Sequence, residues 1–156
     1  YNAIGKALRT MEEHDKAMMF YRRALAIQRR LHGANHPQVA QSHNNLGEVR
    51  LNMGDYDNAL KHFLDSMAIY SKQPALKEKA GVATSYNNLG STLFAMYDFK
   101  QALEHYQKAL DIREKELNPE HVDLAISYHN IGKVYLANGN LNKALELFKN
   151  SQKSFF

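Results

Sequence analysis

The sequence has no cysteine, so it cannot supply a disulfide framework, a thiolate metal site or a catalytic thiol. No apolar run approaches the roughly 18 residues a membrane span needs, and the opening Tyr1-Asn2-Ala3-Ile4-Gly5 lacks the basic-then-apolar layout of a signal peptide. We expect a cytoplasmic protein with no direct membrane insertion. Gly-rich phosphate loops, nucleophile elbows and activated Ser-His arrangements are also missing, which leaves catalysis without a starting residue. The expectation is a non-enzyme that uses no cofactor. Proline occurs only at 37, 74 and 119, and because proline opens or ends helices these sites punctuate the chain. The charge bias is small: 20 Lys and Arg against 16 Asp and Glu give +4, a weak pull toward acidic partners. The chain starts without methionine and ends on Phe155-Phe156, so we read it as a piece of a longer protein.

Against these absences stands a period. A glycine preceded by an apolar residue recurs at Ile4-Gly5, Leu46-Gly47, Leu89-Gly90 and Ile131-Gly132, at intervals of 42, 43 and 42 residues. Ala17, Ala59, Ala102 and Ala144 repeat at the same intervals, each followed by Met18, Leu60, Leu103 or Leu145, and four residues later come Tyr21, Phe63, Tyr106 and Phe148. Within a unit the spacing is helical, as in Ala59, Leu60, Phe63, Leu64 and Met67, the apolar face of a second helix, B. The first helix, A, carries the apolar-Gly pair. It is expected over roughly Pro37 to Met53, Pro74 to Met96 and Pro119 to Asn138, with the first copy beginning at Tyr1.

Between A and B falls a short turn: Gly54-Asp55, Tyr97-Asp98 and Gly139-Asn140, with Glu12 and Glu13 at the equivalent places. Glycine closes a helix in the left-handed conformation, and Asp or Asn caps the next helix by accepting a backbone N–H. Tyr97 and Glu12 must make the same turn without glycine. Small residues such as Gly47 and Ala59 remove bulk where helices approach, with Phe63 filling the space beside them. One such helix pair cannot bury its face alone, so neighbours stack into a continuous core. The prediction is an all-α single array of four antiparallel pairs, about eight helices, with repeats at roughly 1–36, 37–73, 74–118 and 119–156.

These residues resemble the tetratricopeptide repeat. The last unit matches that pattern best, through Tyr128, Ile131, Gly132, Tyr135, Gly139, Ala144 and Phe148. The departures are Arg50, Leu93 and Leu8 where Tyr135 has its aromatic, and Ser66 and Ser151 where Ala24 and Ala109 keep a small alanine. The common unit has about 34 residues. The longer unit here, the segments at 26–40 and 111–122, and the Asn-Asn-Leu-Gly strings at 44–47 and 87–90 resemble kinesin light chains. The third connection, Lys77-Glu78-Lys79-Ala80-Gly81-Val82-Ala83, looks more like Pins-type adaptors.

The resemblance implies a right-handed α-solenoid whose A helices line a concave groove that grips a peptide segment of a protein partner. Carried over by position, the groove residues are Asn2, Lys6, Arg9, Gln41, Asn44, Asn45, Glu48, Asn52, Thr84, Asn87, Asn88, Ser91, Asn130 and Lys133. Asparagine is a poor helix former, and in mid-helix its carboxamide is free to pair with a ligand backbone or with a neighbouring helix. Lys6, Arg9 and Lys133 against Glu48 give the groove a basic bias. The family's clamp for two carboxylates is not expected, because Asn2 and Lys6 reverse its first pair and Thr84 with Asn88 replaces its basic pair.

Two other residue classes have plainer readings. Arg22, Arg23, Arg29 and Arg30 are expected on a solvated helix face, and a nucleic-acid reader would interleave aromatics with them, whereas the aromatics here fall at core positions. No nucleic-acid partner is expected. His32 and His36 have i, i+4 spacing, but Gly33 and Pro37 interrupt a helix there and no third ligand is in register, so no metal site is expected. The leading reading is an interaction scaffold or adaptor. The alternatives are a regulatory or sensor domain gating an attached enzymatic or DNA-binding domain, and a self-association module using the apolar end at Phe148, Phe155 and Phe156.

Overall fold

A computed structural model describes residues 1–73 and 80–153 and divides the chain into two compact units, Tyr1–Lys77 and Glu78–Phe156. The described residues form eight α-helices and no strand. In the first unit these are α1 (Asn2–Thr10), α2 (His14–His32), α3 (Pro37–Asn52) and α4 (Tyr56–Ser71). In the second they are α5 (Ala80–Ala95), α6 (Phe99–Glu116), α7 (Val122–Ala137) and α8 (Leu141–Lys153). The odd-numbered helices are the A helices and the even-numbered ones the B helices.

Two A helices open on a histidine cap. His36 Nδ1 accepts the Gln38 backbone N–H (3.2 Å) with Pro37 as the first residue of α3, and His121 Nδ1 accepts the Asp123 N–H (3.1 Å) at α7. The second cap corrects an expected boundary. Helix α7 starts at Val122 and not at Pro119, because His121 takes the cap position and its own N–H goes to the Asn118 carbonyl in a turn. The expected start of α5 at Pro74, like Lys77-Glu78-Lys79 of the third connection, lies outside the described residues, as do Phe155 and Phe156.

All four A-to-B turns pass through the left-handed region, at Glu12 (φ 60°), Gly54 (74°), Tyr97 (64°) and Gly139 (77°). The capping residues then diverge. Asp98 accepts the Gln101 N–H and Asn140 the Lys143 N–H, whereas Asp55 engages the Arg50 guanidinium (2.7 Å) and the Asn58 amide (3.0 Å) in place of a backbone cap. Those bonds, Asn58 foremost and then Arg50, hold the Asp55 carboxyl below its ordinary range.

The helix-A glycine is a socket for the helix-B aromatic four residues after the alanine. A Cβ on Gly5, Gly47, Gly90 or Gly132 would fall 2.7, 2.5, 2.7 or 2.6 Å from the ring of Tyr21, Phe63, Tyr106 or Phe148. The expected bulk removal is therefore real, but its beneficiary is a ring lying flat on the helix. Around each socket lie the alanines Ala17, Ala59, Ala102 and Ala144, all buried. The buried face of α4 is Ala59, Phe63, Ser66, Ile69 and Tyr70, so the expected face shifts: Leu64 points outward, 57% exposed, and the small Ser66 takes the interior.

Each unit also links its first B helix to the next A helix through a buried serine. Ser42 Oγ donates to Gln28 Oε1, and Arg113 Nη1 donates to Ser127 Oγ (2.7 Å) and to the Asp123 carbonyl (3.0 Å). Arg113 is only 5% exposed, which makes it the buried counterpart of Gln28.

Candidate functional site

In the first unit the A helices keep one polar stripe accessible. It comprises Asn2, Lys6 and Arg9 on α1, spaced i, i+4, i+7, and Gln41, Asn45, Glu48 and Asn52 on α3, spaced i, i+4, i+7, i+11. Lys6, Gln41 and Asn52 are exposed, and Asn45 is half-buried. Arg9 and Glu48 pair with each other across α1 and α3. That ion pair removes most of the basic bias expected here, leaving Lys6 as the cation of the stripe with no ion pair among the described residues. Among the described residues, Asn2 Oδ1 and Arg9 Nε have no hydrogen-bond partner. Beneath the pair, burial raises the Tyr21 phenol above its ordinary pKa, with Arg9 pulling it back and Glu48 pushing it up.

The second unit arranges the same helices differently. Asn130 Nδ2 donates to Asn87 Oδ1 (3.0 Å), joining α7 to α5 by an amide pair where the first unit uses an ion pair. Thr84 Oγ1 donates to the Ala80 carbonyl (2.8 Å), and Ser91 Oγ donates to the Asn87 carbonyl (3.0 Å) while accepting from the Tyr106 hydroxyl (3.1 Å). Lys133 is exposed, its ammonium 4.9 Å from the Phe94 ring centroid. Each Asn-Asn string thus splits into one buried and one accessible member: Asn44 and Asn88 are 3% and 8% exposed, and Asn45 and Asn87 lie at the surface edge.

A second polar cluster lies on the other side of α3. His43 from α3 meets His62 and Asp65 from α4, with Nδ1 to Nδ1 at 3.2 Å and His43 Nδ1 to Asp65 Oδ2 at 3.6 Å. Arg29 Nη2 reaches His43 Nε2 at 3.2 Å, so Arg29 does more than decorate a solvated face. Burial lowers both imidazoles, assisted at His43 by Arg29 and at His62 by His43, Arg50 and Lys61; Asp65 opposes the shift, and His62 falls to about 4. Spacing within one helix could not reveal this trio, because its first member comes from the neighbouring helix. The i, i+3 pair His62 and Asp65 was its one visible sign.

Helix pairs of this kind, with glycine-aromatic sockets and short left-handed turns, define an all-α repeat scaffold. The chain belongs to the Tetratricopeptide repeat family, whose sequence profile it matches over residues 1–72 and 81–153. That family is one of non-catalytic interaction scaffolds. Among solved structures, the chain is similar to BtubC (BKLC) from P. vanneervenii, with 25% identity over 99% of this chain and 61% of that one, at a TM-score of 0.83. It shares the fold of a Podosopora anserina kinesin light chain with nearly identical TPR-like repeats (22% identity, 96% of this chain, 70% of that one, TM-score 0.81). The apo form of RapI shares it too (24%, 98% and 53%, TM-score 0.81). A 70-residue stretch is 34% identical to the clustered mitochondria protein homolog of Xenopus tropicalis, covering 45% of this chain and 5% of that protein.

Proposed function

We propose that this chain is the partner-holding part of a scaffold or adaptor, and that it receives an extended peptide segment along the polar stripes of its A helices. The observation that carries the reading is the stripe on α3. Gln41 and Asn45 present carboxamides from successive turns inside α3, where a capping role is impossible, and Asn52 adds a third from the last residue of the helix. A carboxamide offers a donor and an acceptor together, so such a row suits the backbone of a bound segment whatever its side chains. Lys6 on α1 adds the remaining positive charge beside it and favours a segment bearing a carboxylate. Asn87 and Asn130 contribute by fixing α5 against α7, and Lys133 adds an accessible cation on α7.

The partner is obtained by pull-down with the intact protein and its bound segment by peptide mapping. The Gln41→Ala, Asn45→Ala, Asn52→Ala variant should then bind that peptide on the order of 100-fold more weakly, from about 1 kcal/mol per lost hydrogen bond, with melting unchanged. Undiminished binding by the triple variant would remove the stripe from the reading.

A further inference from the structure

Successive repeats offer natural comparisons at each position, and one position stands apart. Residues 1 and 20, 43 and 62, and 86 and 105 are equivalent, and each set brings two rings together: Tyr1–Phe20 at 6.0 Å, His43–His62 at 5.4 Å and Tyr86–His105 at 5.9 Å between centroids. Ring pairing there is a packing device shared by these repeats. The residue three positions after the second ring completes the set, as Arg23, Asp65 and Lys108, with Lys108 Nζ 5.6 Å from the Tyr86 centroid. In the last repeat the three places hold Tyr128, Leu147 and Asn150. Packing therefore asks for rings and asks nothing of the third residue; only the second repeat fills all three places with metal-ligating side chains.

We propose that His43, His62 and Asp65 form a site for a divalent transition-metal ion, zinc by ligand type, completed by water. One donor atom from each residue lies within 4.8 Å of the other two, and His43 Nδ1 stands 3.2 Å from His62 Nδ1 and 3.6 Å from Asp65 Oδ2. Ligands at roughly 2.0–2.2 Å from a tetrahedral ion stand about 3.3–3.6 Å apart, so the two separations from His43 Nδ1 are close to the edges of a zinc polyhedron. Two imidazoles and one carboxylate suit a borderline ion over Ca2+ or Mg2+, which prefer all-oxygen shells. Asp65, its side chain 47% exposed, opens the site to solvent and supplies the balancing negative charge. Bound there, the ion ties α3 to α4.

Three cations oppose the ion: Arg29 against His43, and Arg50 and Lys61 around His62. Arg29 also occupies the place of an outer acceptor. Metal binding through Nδ1 puts the His43 proton on Nε2, facing a guanidinium that cannot accept it, so the exposed Arg29 side chain swings into solvent. Replacing Arg29 by a residue with an amide oxygen should therefore tighten the site.

Co2+ titrated into the metal-free full chain reports the geometry through its visible ligand-field bands. The expected result is intense tetrahedral bands saturating at one ion per chain, displaced by Zn2+, and weakened at least about tenfold by Asp65→Asn and by His62→Gln. The His32→Ala, His36→Ala variant should bind as the unaltered chain does, and Arg29→Gln on the order of tenfold more tightly. Circular dichroism verifies that the exposed Asp65→Asn change leaves the helices intact. Absent tetrahedral bands, or bands that persist in both Asp65→Asn and His62→Gln, would overturn the site.

Discussion

At the residue scale, the four A-to-B turns are one conformation made with different residues. Gly54 and Gly139 take it without penalty, while Glu12 and Tyr97 hold positive φ against the clash of their own Cβ. Tyr97 is 81% exposed and touches the Phe99 ring edge-on, so little packing compensates it. Tyr97→Gly should raise the unfolding free energy by about 0.5–1 kcal/mol, the side-chain clash relieved less the added freedom of the unfolded chain, measured by urea denaturation. This strain was legible in the sequence, because alignment of the repeats put a tyrosine where two other copies have glycine. The orientation of the asparagines was not. Asn44 and Asn87 are equivalent positions with different burial, and neither helical periodicity nor propensity distinguishes them.

At the scale of the helix pair, the glycine-aromatic socket and the buried serine link do separate jobs. The socket joins A to B inside a pair, and the serine joins B to the following A. The two serine links differ in partner, a neutral Gln28 against a buried, charged Arg113 that also holds the Asp123 carbonyl. Arg113→Ala should destabilise the protein by about 2–4 kcal/mol, since it removes charged hydrogen bonds and leaves a void. Arg113→Gln should recover much of that loss, because Gln28 already performs the shorter half of the task at Ser42; differential denaturation of the two variants tests the comparison. Helix order and pairing were readable from the concordant Gly, Ala and aromatic periods. The serine links were overlooked because Ser42 and Ser127 are polar residues on a buried face, visible only once partners from the preceding helix are in place.

For the whole molecule, pH acts through groups in both units. His43 and His62 in the first and His105 in the second have folded pKa values below their ordinary value, through burial first. The fold thus prefers the neutral ring, and its contribution is complete above pH 6.5 and disappears as pH falls toward the folded value, about 4 for His62. Asp55, also lowered, adds a loss in the same direction below its ordinary 3.8. At the alkaline end Tyr21, Tyr70 and Tyr106 are raised, and Tyr128 reaches about 12 through burial and then its Glu114 neighbour, so stability declines again above pH 10. A melting-temperature profile should be flat between about 6.5 and 10 and fall on both sides, with the acid limb shallower in His62→Phe, the ring that the first repeat carries as Phe20. The family and its helices were open to a reader of the sequence. Its chemistry was less so, because ion pairing between Arg9 and Glu48 cancels charges that spacing alone counts as free.

The devices described above also keep a longer rhythm than the helix pair. Glu12 and Tyr97, Gly54 and Gly139, and the histidines His36 and His121 all stand 85 residues apart. The two strained turns alternate with the two glycine turns. A genetic exchange that added or deleted 85 residues would return every device to phase. One that moved by a single pair would set a glycine turn where a strained one belongs. The module that can be copied intact is the double pair.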